Sequence, residues 1–331
     1  MRPTVFLLVA VTVSYTCLAA NGDRKLSPER TFREMCDASA AVALTPDSFV
    51  VASDEDNELR IYRSDTEKPV FSLPLSSFLE TEAEHPEADI EGATWLGDRI
   101  FWITSHGRNS EGHHRPNRLR LFATKAQLTA TGLRLEPVGK PCKHLLRDLK
   151  DDDRLEKFKL KDAAKLAPEA AGGLNIEGLS ATRDGDLLIG FRNPIPDGKA
   201  LLVPLKNPNK VLDGDDAKFG KPILLNLGGK GVRSLEYWPA RDMYLIVAGP
   251  FDGGDSFALY QWSGDPDHAP EIVTGPAFDT MHPEALFLGT GPAPLIHLLS
   301  DDGDHKIGSP AMDCKTLGKD QQRFRAVDLK W

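Results

Sequence analysis

Five times along the chain, a short apolar segment leads into a turn and then a second, strongly apolar run. These second runs are Phe49 to Ala52, Ile100 to Thr104, Leu187 to Gly190, Met243 to Ala248 and Leu295 to Leu299. A polar loop follows each, and then a third run in which apolar and polar residues alternate. The third runs are Leu59 to Tyr62, Leu119 to Phe122, Ala200 to Leu205, Phe257 to Trp262 and Phe324 to Leu329. Short apolar runs bounded by turn formers predict strands buried on both faces, and period-two alternation predicts half-buried ones. A weaker fourth run, such as Val70 to Leu73, Leu133 to Val138, Ile223 to Leu227 and Glu271 to Val273, completes several units.

The first segments align with one another as Asp89-Ile90-Glu91-Gly92, Asn175-Ile176-Glu177-Gly178, Ser234-Leu235-Glu236-Tyr237 and His282-Pro283-Glu284-Ala285. A fifth, Asp37-Ala38-Ser39-Ala40, carries Ser39 where the others carry Glu. From Ser39 to Glu91, Glu177, Glu236 and Glu284 the spacings are 52, 86, 59 and 48 residues, against about 40–50 for known propeller repeats. Four antiparallel strands per repeat predict an all-β fold, a β-propeller of five four-stranded blades. The long spacing reflects a charged, helix-favouring stretch over 141–173, read as an insertion; a sixth, diverged blade there is the alternative. The last unit lacks a fourth strand after Trp331. The segment before Cys36 is the candidate to supply it, which would close the ring and protect both sheet edges.

Residues 1–20 read as an export signal: Arg2 gives the positive start, Val5 to Val13 the apolar stretch, and Cys17 to Ala20 a small-residue end. The apolar stretch is shorter than the ~20 residues of a membrane span, so a secreted or periplasmic protein without a transmembrane segment is expected, its mature part (21–331) one propeller domain. Three cysteines would then remain, and Cys36 with Cys314 is the favoured disulfide because ring closure brings the chain ends together. The formal net charge of −9 excludes a nucleic-acid binder built on a basic stripe.

In a propeller, the start of each inner strand and the loop between the second and third strands share one face. The repeat therefore predicts that Glu91, Glu177, Glu236 and Glu284 meet at the channel mouth, near Asp54, Arg108, Arg192 and Arg233. Crowded carboxylates repel unless something positive lies among them. A hard cation such as Ca²⁺, which takes six to eight oxygen ligands, is one solution. Pairing of the glutamates with Arg108, Arg192 and Arg233 is another, and a bare Glu-Gly turn facing water is the third. The segment from Ser105 to Arg118 holds three of the nine histidines; His106 is the candidate proton carrier, and the arginines suit a small anionic substrate or ligand. A solvated surface loop is the plainer reading of that segment.

The Asp89 to Gly92, Asn175 to Leu179, Phe191 to Pro194 and Arg233 to Tyr237 runs resemble a bacterial exported propeller family known only as a domain of unknown function. More distantly, the Glu-Gly strand start is similar to phytase-like esterase and gluconolactonase-type propellers. That resemblance implies a divalent cation at the mouth and a metal-dependent hydrolase of a phosphoester, ester or lactone. A non-catalytic ligand- or protein-binding propeller is the alternative.

Overall fold

The computed structural model describes residues 24–291 and 294–331; the segment read above as an export signal, residues 1–20, lies outside them. Five four-stranded antiparallel sheets form the ring. Blade one comprises Ala40–Thr45, Ser48–Ala52, Glu58–Arg63 and Phe71–Pro74; blade two Ile90–Leu96, Arg99–Thr104, Leu121–Thr129 and Gly132–Cys142. Blade three comprises Asn175–Ala181, Leu187–Asn193, Ala200–Leu205 and Ile223–Leu225; blade four Gly231–Trp238, Met243–Gly249, Ala258–Trp262 and Glu271–Ile272. Blade five takes Pro283–Leu288, Ile296–Ser300 and Arg323–Leu329 from the end of the chain and Arg30–Arg33 from its beginning. Phe32 lies opposite Phe324 in that closing pair, so the ring is sealed by backbone hydrogen bonds between the two ends of the sequence.

The second strand of each blade is buried on both faces, as its continuous apolar run requires, and the cores lie between neighbouring blades. Where blade five meets blade one, Phe32, Phe49, Tyr62, Phe287 and Phe324 form a connected aromatic cluster with ring centroids 5.2–5.8 Å apart. Cys36 and Cys314 are disulfide-bonded beside it, while Cys142 is buried and free.

The insertion is helical and forms no sixth blade. Short α-helices at Leu145–Asp151 and Leu160–Ala163 flank a 3-10 turn at Asp153–Phe158. Leu145, Leu149, Leu155 and Leu160 bury themselves against Ile176, Ile189 and Val203 of blade three. The segment leaving this packed unit is carried onto the channel face, where the Asn193 side-chain amide donates to the carbonyls of Pro168 (2.8 Å) and Ala170 (2.7 Å). Among the described residues, no helix is long and apolar enough to cross a membrane.

Candidate functional site

A β-bulge opens the inner strand of four blades, and it decides what reaches the channel. In blade two Ile90 pairs with Thr104 and Gly92 with Ile103, which leaves Glu91 as the extra residue. The same irregularity isolates Glu177 in blade three, Arg233 in blade four and Glu284 in blade five. A bulged residue is re-aimed out of the strand's alternation, and all four are buried at the channel. The residue after the bulge must be small because the next blade's inner strand crosses there. A Cβ at Gly92 would stand 2.9 Å from Cβ of Leu179, and one at Gly178 would stand 2.6 Å from Cγ1 of Val232.

The register corrects the sequence alignment in blade four, where the fourth position belongs to Arg233 and not to Glu236. Glu236 lies three residues further along the strand, paired with Leu245. It is half-buried away from the mouth, and burial pushes its carboxyl up to about 8, opposed in part by a hydrogen bond with the backbone of Leu288. Arg108 also falls outside the ring. Counting from Gly92↔Ile103 and Gly178↔Gly190, Arg192 corresponds to Ser105, so the two Arg-Asn pairs are not equivalent. Arg108 instead donates to the carbonyls of Ala164 (2.9 Å) and Gly112 (3.0 Å), tying its loop to the insertion. His106 is buried beside the mouth cavity's wall without lining it. Its Nδ1 donates to the Thr104 carbonyl at 2.8 Å, its Nε2 has no partner among the described residues, and burial lowers its pKa to about 4.

The ring divides into two electrostatic halves. In one, Arg192 Nη1 pairs with Glu177 Oε1 at 3.1 Å and its Nη2 with Glu169 Oε1 of the insertion at 2.9 Å. Arg233 Nε lies 3.0 Å from Glu177 Oε2, and its Nη2 pairs with Glu284. In the other half, Asp54, Asp89 and Glu91 bring carboxylate oxygens within 4.8 Å of one another. Burial, reinforced by the charges of Glu177 on Glu91 and of Asp301 on Asp54, raises these two well above the usual carboxylate range, and burial raises Asp89 as well against the pull of Arg118 and a hydrogen bond with Ser105. Among the described residues, Arg118 pairs directly with this half, with Asp89 at 2.7 Å and with Glu87 at 2.5 Å. Burial and Asp89 push Glu87 up to about 7 against the pull of Arg118. Below them Asp37, lifted to about 11 by burial and by its hydrogen bond with Asp301, holds a proton that Asp301 accepts.

Of these groups, Asp54, Glu87, Asp89, Glu91, Arg118, Glu169 and Arg192 line a mouth cavity of about 610 Å³, most of whose lining residues are polar. Asn175 lines it too. Its Nδ2 donates to Glu177 Oε1 at 2.8 Å, which leaves Oδ1 buried and without a partner among the described residues. The structure thus gathers Glu91, Glu177, Glu284, Arg192 and Arg233, and adds Asp37, Asp89, Arg118, Glu169 and Asn175. One signal for three of these additions lies in the repeat: Asp37, Asp89 and Asn175 all stand two residues before the bulge position. Glu169 and Arg118 come from the insertion and a long loop, outside any repeat.

A buried ring of carboxylates and guanidiniums at the end of a five-bladed channel defines the molecule as a β-propeller with a polar channel-mouth site. The profile of the family described as "Protein of unknown function (DUF3616)" matches residues 37–119 and 112–287. The chain belongs to that family. The search of curated proteins gave no match. Among solved structures, the glutaminyl cyclase of Myxococcus xanthus is similar at 14% identity, covering 93% of this chain and 97% of that one, with a TM-score of 0.42. The putative oxidoreductase (glucose dehydrogenase) of Thermus thermophilus is similar at 12% identity, covering 91% and 99%, with a TM-score of 0.45. The PQQ-bound aldose sugar dehydrogenase of Streptomyces coelicolor stands at 8% identity, 91% and 98% coverage and a TM-score of 0.43. Similarity this low assigns none of their activities to this chain.

Proposed function

We propose that the channel mouth holds a divalent cation and that the protein is an exported hydrolase of a small anionic phosphoester, ester or lactone. The observation that carries this reading is the group Asp54, Asp89 and Glu91. Their oxygens lie within 4.8 Å of one another, in a site where burial opposes their ionisation and Arg118 is the nearest counter-charge. An ion bound there would remove that conflict. The donor set is all oxygen, and the unpartnered Asn175 Oδ1 extends it; this is the chemistry of a hard cation such as Ca²⁺. The three carboxylates would hold the ion, Glu177 and Glu284 being committed to arginines. When bound, it would supply Lewis-acid polarisation of a substrate oxygen or of the attacking water. Arg192 is fixed at two points by Glu177 and Glu169, so it is oriented to receive an anionic group without reorganising. No role in proton transfer is assigned to His106, whose Nδ1 is engaged by Thr104.

The competing reading is a non-catalytic binding propeller. It is favoured by the Arg192–Glu177–Arg233–Glu284 chain, which fills its half of the channel as a structural plug would. Metal analysis of purified protein, followed by calorimetric titration of Ca²⁺, tests the cation. The expected result is stoichiometric binding that Glu91→Gln weakens by at least about tenfold; no binding and no thermal stabilisation by Ca²⁺ would overturn the reading. Turnover of p-nitrophenyl phosphate, p-nitrophenyl acetate or glucono-lactone by the Ca²⁺-loaded protein separates a hydrolase from a binding module.

A further inference from the structure

The opposite face of the ring carries a second cavity, of about 490 Å³, within the range of small-molecule sites. It opens between the ends of blades three and four, at the turn Thr182–Asp186 and at the hairpin end around Asp242, remote from every residue of the mouth. Three aromatic side chains stand side by side on adjacent strands of blade four. Tyr237 pairs with Tyr244 across the sheet, and Tyr244 with Trp262. Their ring centroids are 5.0 and 5.2 Å apart. Trp262 and Tyr244 are buried and act as backing, while Tyr237 is half-exposed.

The polar rim is organised around the same row. Arg183 Nε donates to Asp242 Oδ1 at 2.8 Å, and its Nη2 to Asp242 Oδ2, forming a two-point fork. The Tyr237 hydroxyl donates to Asp242 Oδ1 at 2.7 Å. Asp242 itself sits in the left-handed conformation, φ 51°, which Asp adopts more readily than most non-glycine residues. Lys206 pairs with Asp186 on the blade-three side of the cavity.

We propose that this cavity binds a neutral saccharide. An aromatic ring offers an apolar surface to the C–H face of a sugar while its hydroxyl keeps a polar contact. Planar charged groups already fixed to each other retain spare donors and acceptors for neighbouring hydroxyls. A charged ligand would have to compete with the Arg183–Asp242 and Lys206–Asp186 pairs; a neutral polyol would use their free valences and leave them intact.

The test is titration of the purified protein with maltose, cellobiose and N,N′-diacetylchitobiose, followed by tryptophan fluorescence. At least one is expected to saturate. Tyr237→Ala and Arg183→Ala should each weaken it by at least about tenfold, with Tyr244→Phe, which keeps the ring, weakening it by about three- to tenfold. Far-ultraviolet dichroism and melting temperature confirm that each variant is folded, and Ca²⁺ titration at the mouth should be the same in all three. The proposal is overturned if none of the three sugars saturates, or if a sugar binds Tyr237→Ala and Arg183→Ala as well as the parent. Saturation by tetramethylammonium in place of any sugar would assign an organic-cation site and overturn it too.

Discussion

Arg233 stands between two buried glutamates and within reach of both, so the charge of the channel depends on it more than on any other side chain. Removing one partner of a buried ionic network costs about 3–5 kcal/mol, because the remaining charge is left in a poorly solvating place. Arg233→Met should therefore lower the unfolding free energy by roughly that amount in denaturant titration, although the methionine would fit the space. Glu236 behaves in the opposite way. Its folded carboxyl titrates near 8, above its ordinary value of 4.5. A raised folded value means that its contribution to stability is complete below the unfolded pKa and is lost as pH rises toward 8. Glu236→Gln mimics the protonated form. It should be more stable than the parent at pH 8 by on the order of 1–3 kcal/mol and show no gain at pH 4; equal gains at both pH values would refute this account of the residue.

At the scale of the element, the Glu-Gly dipeptide records two separate constraints. The bulge selects a side chain for the channel, and the close crossing of the next blade selects a small residue after it. Blade three shows the second constraint most sharply, since a Cβ at Gly178 would collide with Val232 and also lie 3.1 Å from the Gly190 Cα. Gly178→Ala should lose about 1–3 kcal/mol, measurable as a fall in melting temperature, and Val232→Ala in the same chain should recover part of it. The strand runs were legible in the sequence because buried strands need uninterrupted apolar residues. Blade four was misaligned because Glu236 also precedes a strongly apolar hairpin, and only the pairing of Ser234 with Val247 shows that the extra residue is Arg233. Arg108 was misplaced for a related reason: residues in a loop of this length carry no periodic signal to fix their position.

For the molecule as a whole, ring closure joins residues nearly the full chain apart. The strand pair Arg30–Arg33 with Arg323–Leu329 and the Cys36–Cys314 bridge, 278 residues in separation, act on the same seam. A crosslink over so long a loop restricts the unfolded chain strongly. Cys36→Ser with Cys314→Ser should lower stability by about 2–5 kcal/mol, read by equilibrium unfolding without reductant.

Read from the sequence, the strand order within a blade and the helical character of the insertion were legible, while five blades, the closing strand and the Cys36–Cys314 bridge were favoured readings that the structure bears out. Each of these follows from local periodicity or from counting what a closed ring still lacks. The sequence also placed charge at the starts of the inner strands. Which charges meet was decided by the tertiary structure alone. A one-residue bulge changes the direction of a side chain, and the composition of the strand is the same with or without it. Burial then set the chemistry, pairing Glu177 and Glu284 with arginines and leaving Asp54, Asp89 and Glu91 together, because the strength of these interactions depends on the distance and solvation of groups far apart in the chain.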